Sequence, residues 1–248
     1  QFPFDADASI PYVRKSDGYE AQFFNSFEAQ YTNDKLSNLN KERLMFLPLI
    51  VKLENNVKVC ITEVDLENYP GLYLKTNNEE GQLVSEFANY PKKVEQGGHN
   101  MLQMVVKERE DFIAKVDQPR NFPWRVAIVS DEDKDLASSE LGYLLAEPSR
   151  LEDISWIKPG KIAWDWWNDW NLDGVDFETG VNNPTYKAYI DFASKNGIEY
   201  VILDEGWAVN KKADLMQVVP EINLEELIAY ATSKNVGLVL WAGYHAFN

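Results

Sequence analysis

Aromatic and acidic side chains are concentrated in residues 161–170. This segment holds half of the eight tryptophans in the chain, together with two aspartates. These residues are Trp164, Trp166, Trp167 and Trp170, with Asp165 and Asp169 between them. Flat indole faces stack on the C–H faces of sugar rings, and carboxylates bind hydroxyl groups or transfer protons. The segment therefore points to carbohydrate chemistry.

The same residue types follow two later apolar runs. Residues 199–203 lead into Asp-Glu-Gly-Trp, and residues 236–240 lead into Trp-Ala-Gly-Tyr-His. Because the active face of parallel α/β folds lies at the carboxyl ends of the strands, we expect these groups to converge with residues 161–170. The candidate substrate-binding residues are Asp165, Trp166, Trp167, Asp204, Glu205, Trp207 and His245.

Each candidate also has a purely structural interpretation. A lone tryptophan more often packs in a core than binds a ligand, and the alternative for Asp204 is a helix cap or a surface acid. Neighbouring residues of a strand point to opposite faces, so Asp204 and Glu205 need not both face the site. We therefore expect the pair to accept hydrogen bonds from substrate hydroxyls first, and to act as acid and base second.

Composition narrows the class of partner. The chain has 248 residues, a net charge of −16 and a pI near 4.6, which argues against nucleic acid and against anionic membranes. A neutral ligand such as a sugar, or a cation, suits this charge better. No run of about 18 apolar residues occurs, so the sequence predicts no membrane span. The single cysteine, Cys60, excludes an internal disulfide.

The pattern of apolar residues changes near Pro159. Before it, short alternating runs separated by turn residues predict an all-β domain, a β-sandwich, over residues 1–150. After it, strands alternate with amphipathic helices at the spacing of a (β/α)8 barrel. The predicted elements are strands 161–166, 199–204 and 236–241 with helices 184–196 and 223–235. A complete barrel needs about 250 residues, so residues 151–248 are expected to hold its first three βα units and to need a further barrel segment or another chain.

An acidic segment lies in the β-rich part. Residues 61–71 place carboxylates at alternate positions, Glu63, Asp65 and Glu67. Hard cations such as calcium take six to eight oxygen ligands, usually from several carboxylates. Alternation brings these groups to one face only if the segment is a strand. The alternative is a solvated acidic face.

Several of these motifs together resemble glycoside hydrolase family 97. The resemblance covers nearly the whole chain, and the tryptophan block combined with Asp-Glu-Gly-Trp is its most specific part. The motifs are residues 61–73, Trp124-Arg125 with Val129-Ser130-Asp131, Trp164–Asn171, Tyr189–Ala193 and Leu203–Trp207. The Trp-Asn-Asp-Trp-Asn form is closer to the retaining, α-galactosidase-like branch than to the inverting α-glucosidase branch.

The resemblance implies an N-terminal β-super-sandwich portion followed by a truncated (β/α)8 TIM barrel, so α/β plus all-β overall. It implies a calcium ion with Glu63 as one ligand, and a sugar site lined by the candidates above other than His245. It places the nucleophile and the acid/base residue beyond Asn248, so no catalytic residue is assigned here and the chain alone is expected to be inactive. It also implies a periplasmic or secreted bacterial protein that acts on an oligosaccharide or glycoside.

Three other functions remain open from the sequence. Within the enzyme class, the alternative is an inverting α-glucosidase of the same family. Outside it, the alternatives are a non-catalytic carbohydrate-binding module and a structural domain whose tryptophans pack a core. Sugar binding that depends on Trp166 favours the barrel site over both.

Overall fold

A computed structural model describes residues 2–3, 5–15, 18–77, 82–209 and 211–247. The chain forms two compact units. The first comprises Gln1–Lys93 and Lys107–Arg150, and the second comprises Val94–Val106 and Leu151–Asn248. Segment 94–106 therefore belongs to the second unit, although the sequence analysis placed all of residues 1–150 in one domain.

The part before residue 150 consists mainly of strands. They are β1 (Asp7–Ile10), β2 (Thr32–Lys35), β3 (Leu49–Lys52), β4 (Lys58–Val64), β5 (Tyr73–Thr76), β6 (Leu83–Glu86), β7 (Pro91–Gly97), β8 (Gln103–Arg109) and β9 (Trp124–Ser130). An antiparallel five-stranded sheet has the order β2-β1-β3-β4-β9, and β5-β6 and β7-β8 are hairpins. Two short helices, α1 (Asp133–Ala137) and α2 (Leu141–Leu145), follow β9.

Alternating apolar residues produce the core of this unit. Ile10, Leu49 and Val51 are fully buried together with Met45. In a strand, residues two apart point to the same face, so this alternation turns one face of the sheet inward. Asn55-Asn56 lies between two apolar runs, which predicts a hairpin turn. The turn is confirmed, since both residues lie in the connection between β3 and β4 at φ of 57° and 64°.

Strand β2 was not predicted. The polar sequence of residues 28–43 predicts an exposed loop or a short helix, and that prediction was wrong for Thr32–Lys35. All four residues are exposed and polar, so the segment has no alternating pattern to mark it. Backbone pairing with β1 holds it at the sheet edge, where polar side chains also discourage pairing with other chains.

The second unit contains a parallel three-stranded sheet in chain order. Its strands are β10 (Ile162–Trp164), β11 (Tyr200–Leu203) and β12 (Gly237–Leu240), and its helices are α3 (Asn183–Asn196) and α4 (Leu224–Ser233). Helix α3 connects β10 to β11, and α4 connects β11 to β12. This is the βαβ arrangement predicted from the sequence. A closed barrel stays a prediction.

Capping residues fix the ends of both helices. The Asn182 side chain accepts the backbone N–H of Thr185 at 2.9 Å, and Gly197 ends α3 at a φ of 64°. Asn223 stands three residues before Glu226, a spacing that predicts an N-cap. This is confirmed at the start of α4, where the Asn223 side chain accepts the backbone N–H of Glu226 at 3.1 Å. These caps satisfy backbone groups that a helix end leaves without partners.

The buried faces agree with the helical periodicity in most positions. Tyr186, Tyr189, Ile190 and Ala193 of α3 are buried, as the sequence predicts. On α4 the apolar spacing predicts a buried face of Leu224, Leu227, Ile228 and Ala231. That prediction was wrong for Ile228, which is 53% exposed, while Leu227 and Ala231 are buried. None of the helices in the described residues has both the length and the apolar character needed to cross a membrane.

Candidate functional site

Asp165 follows β10 and has no exposed surface. Its Oδ1 accepts the backbone N–H of Trp166 at 2.7 Å, and its Oδ2 accepts the Tyr186 hydroxyl at 2.7 Å and the Trp170 indole N–H at 3.1 Å. Oδ2 also accepts the backbone N–H of Asp204 at 3.3 Å. Asp165 is therefore a buried hydrogen-bond acceptor that connects two strand ends. It does not face the surface, as the predicted substrate-binding role would require.

Burial dominates the ionisation of this cluster. Loss of water raises the pKa of Asp165 above its ordinary value of 3.8, while hydrogen bonds from Tyr186 and from the backbone of Asp204 and Trp166 oppose the rise. The pKa of Tyr186 is also raised, mainly by burial and then by its hydrogen bond to the Asp165 carboxylate. The tyrosine thus stays protonated and remains a donor to that carboxylate.

We predict that Asp165→Asn flattens part of the dependence of stability on pH. An acid whose pKa is higher in the folded state stabilises the fold fully below its unfolded pKa, and this contribution is lost as pH rises through the folded pKa. Asn does not titrate. The unfolding free energy of the wild type minus that of Asp165→Asn should therefore fall as pH rises from 3.8, as measured by denaturant titrations at a series of pH values. A free-energy difference that grows with pH would show that the hydrogen bonds to Asp165 lower its pKa by more than burial raises it.

Trp164, Trp166 and Trp167 form an aromatic surface, here called the indole platform. The ring centroid of Trp164 lies 5.7 Å from that of Trp166 and 5.8 Å from that of Trp167, with both pairs tilted by 31°. Trp166 is 53% exposed and Trp167 is 77% exposed. Large exposed indoles in a cluster suit the stacking of an apolar ring face.

Asp204 links the indole platform to the end of β11. Its Oδ2 accepts the indole N–H of Trp164, and its Oδ1 accepts the backbone N–H of Glu205 at 2.6 Å. Only 8% of the residue is exposed. Asp204 is therefore a nearly buried anchor for Trp164, with little surface left for a ligand.

The Glu205 carboxylate contacts two side chains that are not among the candidates predicted from the sequence. Its Oε1 accepts the side-chain N–H of Asn100, and its Oε2 lies 3.4 Å from His99 Nε2. Both partners lie in segment 94–106, at the tip of the β7-β8 hairpin. The sequence Gly97-Gly98-His99 predicts only an ordinary loop histidine. Nothing in the local pattern connects it with a residue more than 100 positions later.

Trp207 lies in the core instead of on the open face. It is 4% exposed, and its indole N–H donates to the backbone oxygen of Trp241 at 2.8 Å. Trp207 and Glu205 line a small cavity of about 20 Å³ together with Leu102 and Trp241. Trp207 thus packs in the core, which is the structural alternative that the sequence left open for a tryptophan.

His245 lies beside the hairpin tip. Its backbone N–H donates to the Leu102 oxygen at 3.1 Å, and its buried Nδ1 has no hydrogen-bond partner among the described residues. The ends of the three strands are thus connected by hydrogen bonds from Trp164 to Asp204 and from Trp207 to Trp241. Of the seven candidates, the large exposed surfaces are those of Trp166 and Trp167.

Glu63, the predicted metal ligand, is engaged by protein groups of the first unit. Its Oε1 accepts the backbone N–H of Leu72 at 2.9 Å. Its buried Oε2 lies 2.8 Å from Arg125 Nη1 as an ion pair but has no hydrogen-bond partner among the described residues. Across the residues that the structure describes, no group of three or more His, Cys, Asp or Glu side chains could hold a metal ion. Calcium takes six to eight oxygen ligands, so Glu63 would be one of several, and no cluster of such side chains surrounds it within the described residues.

Comparison with known families agrees with the two-part organisation. The model of the glycosyl-hydrolase 97 N-terminal region matches residues 1–148, and the glycoside hydrolase 97 model matches residues 166–248. The chain belongs to glycoside hydrolase family 97.

Two curated relatives refine this placement. The chain is 71% identical, over 99% of its length, to a retaining alpha-galactosidase of Bacteroides thetaiotaomicron, and it spans 38% of that protein. It is 33% identical over 122 residues to a probable retaining alpha-galactosidase of Streptomyces bingchenggensis, which covers 48% of this chain and 18% of that one. The chain thus spans well under half the length of both relatives.

Solved structures support the fold. A family 97 enzyme from Pseudoalteromonas sp. strain K8, in complex with acarbose, aligns with 96% of this chain and 36% of its own at a TM-score of 0.66 and 22% identity. A beta-arabinopyranosidase aligns with 98% of this chain and 35% of its own at a TM-score of 0.68 and 23% identity. At these identities the likeness concerns the fold alone.

Proposed function

We propose that this chain is part of an exo-acting retaining α-glycosidase that hydrolyses terminal α-galactosides. The observation that carries the proposal is the 71% identity, over 99% of the chain, to a retaining alpha-galactosidase. At that identity the side chains that recognise a substrate are expected to be largely shared. The chain's own part in the reaction is to bind and orient the sugar.

The geometry of the strand ends supports a sugar-binding role. The indole platform offers exposed aromatic faces, and Glu205 offers a carboxylate that is 17% exposed at the end of the adjacent strand β11. Pyranosides present C–H faces to aromatic rings and hydroxyls to carboxylates, so these two features match the two kinds of surface on one sugar. The chain's net charge of −16 also suits a neutral ligand.

The proposed reaction uses two carboxylates. In retaining glycosidases they lie about 5 Å apart, and one of them forms a covalent glycosyl intermediate that water then hydrolyses. Neither role is assigned to a residue of this chain. Asp165 and Asp204 are unsuited to either, because their oxygens already accept hydrogen bonds inside the fold.

A calcium ion and a periplasmic or secreted location are also part of the proposal, and both rest on the family resemblance. Calcium would act as a Lewis acid or position the substrate, and Glu63 would supply one of its ligands. Of the two Glu63 oxygens, Oε1 accepts the backbone N–H of Leu72, while the buried Oε2 is ion-paired with Arg125 and has no hydrogen bond among the described residues. A periplasmic or secreted location is tested by fractionating cells that express the full-length protein, meaning this chain with any sequence that accompanies it in the cell.

Hydrolysis of nitrophenyl glycosides by the full-length protein tests the proposal. We expect turnover of the α-galactoside well above that of the α-glucoside, and proton NMR should show the α-anomer of galactose as the first product. Preferred turnover of the α-glucoside with the β-anomer formed first would favour the inverting α-glucosidase and overturn the proposal. Sugar binding without any turnover would favour a carbohydrate-binding module.

The same assay also tests whether the indole platform binds the sugar. Trp166→Ala should raise KM for the α-galactoside about 10-fold, because aromatic stacking contributes about 0.5–1.5 kcal/mol beyond area burial. Trp156→Ala is the matched control, since Trp156 is also well exposed, at 69%, but lies outside the platform. Equal KM values for the two variants would remove the platform from the site.

A further inference from the structure

The tip of the β7-β8 hairpin carries two polar side chains against the acidic end of β11. Asn100 Nδ2 donates to Glu205 Oε1, and His99 Nε2 lies 3.4 Å from Glu205 Oε2. Asn100 Nδ2 is also 3.1 Å from His99 Nε2. The three side chains therefore form one polar group, in which each carboxylate oxygen has its own partner from the tip.

The backbone of the tip adopts conformations that few residues tolerate. Gly98, Asn100 and Met101 have φ values of 71°, 48° and 62°. Asparagine is among the residues that tolerate this left-handed region, whereas methionine there is strained. Such strain persists only where surrounding contacts hold it, and it is most common at functional sites.

Two further contacts hold the tip in place. The Gln96 side chain donates to the backbone oxygen of Met101 at 2.8 Å, and the backbone N–H of His245 donates to the oxygen of Leu102 at 3.1 Å. The tip is thus fixed from within the hairpin and from the segment after β12. Asn100 is therefore held in position to orient a partner side chain.

The chemistry of the partners matters for a sugar ligand. A lysine or arginine against Glu205 would neutralise the carboxylate, whereas the Asn100 amide orients one oxygen and leaves the negative charge. A charged carboxylate accepts stronger hydrogen bonds from hydroxyl groups than a neutral acceptor does. The side chain of His99 is 76% exposed, so a ligand bound at Glu205 can also reach the imidazole.

We propose that the hairpin tip completes the sugar-binding site: Asn100 is a positioning residue that orients the Glu205 carboxylate, and His99 is a second hydrogen-bonding partner for the hydroxyls of the same pyranoside. This inference rests on the proposed function, since it assigns Glu205 to substrate binding. It adds two residues that do not lie at the ends of the three parallel strands.

The test uses Asn100→Gly in the full-length protein. Glycine accepts the positive φ without strain, so this variant removes the amide and preserves the turn. We expect kcat/KM for the α-galactoside to fall about 10-fold. His99→Ala should raise KM several-fold with a smaller change in kcat. Asn121→Ala is the control, because Asn121 also donates to a glutamate, Glu147 Oε1 at 2.9 Å, but in the first unit.

A double-mutant cycle separates positioning from a merely structural role. If Asn100 acts through Glu205, Asn100→Gly should change kcat/KM less than twofold once Glu205→Gln is present. Additive effects of the two substitutions, or an Asn100→Gly variant within twofold of wild type, would overturn the inference while hydrolysis by the wild type leaves the proposed function intact. A wild type that prefers another glycoside overturns the proposed function, and the same cycle on that substrate then decides the inference. If the wild type hydrolyses no glycoside, both fail.

Discussion

Replacing Asp165 by alanine is expected to lower the unfolding free energy of the second unit by about 3 kcal/mol or more. The substitution leaves the Tyr186 hydroxyl, the Trp170 indole N–H and the Asp204 backbone N–H without their acceptor. Each buried donor that loses its partner costs about 1–3 kcal/mol. The expected loss is large because one fully buried carboxylate serves all of them.

Tryptophan fluorescence during denaturant unfolding measures this effect directly. Seven of the eight tryptophans follow residue 150, with Trp124 the exception, so the signal reports mainly on the second unit. Asp191→Ala is a matched control on α3. Asp191 pairs with Lys234 at 2.7 Å but its side chain is 49% exposed, so its removal should cost less than about 1 kcal/mol. Similar losses for the two variants would contradict the role given to Asp165.

The regular elements of the second unit could be predicted because their signals are local. Asn182, Pro184 and Gly197 mark the two ends of α3 within a few residues of the helix. Apolar spacing then selects the buried face, since side chains three and four apart lie together on a helix. Ile228 shows the limit of this reasoning: it has the right spacing on α4 but is 53% exposed.

The site could be predicted only in outline, because burial and long-range contacts decide the role of each candidate. Trp166 and Trp207 both lie a few residues after the end of a strand, yet one is 53% exposed and the other 4% exposed. The sequence contains no feature that separates them. It also could not bring His99 and Asn100 to Glu205, since that contact depends on where a hairpin more than 100 residues earlier is held.

The acids of the strand ends also separate in a way that the sequence could not show. Asp165 and Asp204 were grouped with Glu205 as partners for sugar hydroxyls. In the structure, each of these aspartates binds an indole N–H, from Trp170 and Trp164 respectively, together with backbone groups. The carboxylates of the two aspartates therefore stabilise the strand ends. Of the three acids, Glu205 is the one whose carboxylate contacts side chains of the hairpin tip.

Glu205→Gln is therefore expected to cause the largest loss of activity among substitutions in this chain that preserve the fold. Hydrogen bonds to charged groups contribute about 1.5–3 kcal/mol, so replacing the carboxylate by a neutral amide of the same shape should lower kcat/KM about 100-fold. The new amide would also place an N–H group, which cannot accept a hydrogen bond, opposite the Asn100 amide or a sugar hydroxyl. Steady-state kinetics on the α-galactoside with the full-length protein measures the loss.

Glu199→Gln is the control at the opposite end of the same strand. Glu199 precedes β11, and its Oε2 accepts the backbone N–H of Lys161 at 2.7 Å. In parallel α/β folds the amino ends of strands serve stability and the carboxyl ends serve ligand binding. Glu199→Gln should therefore keep kcat/KM within about twofold of wild type. If both substitutions reduced activity equally, or if Glu205→Gln remained fully active, the sugar would have to be bound without Glu205, and the acidic end of β11 would have only a structural role.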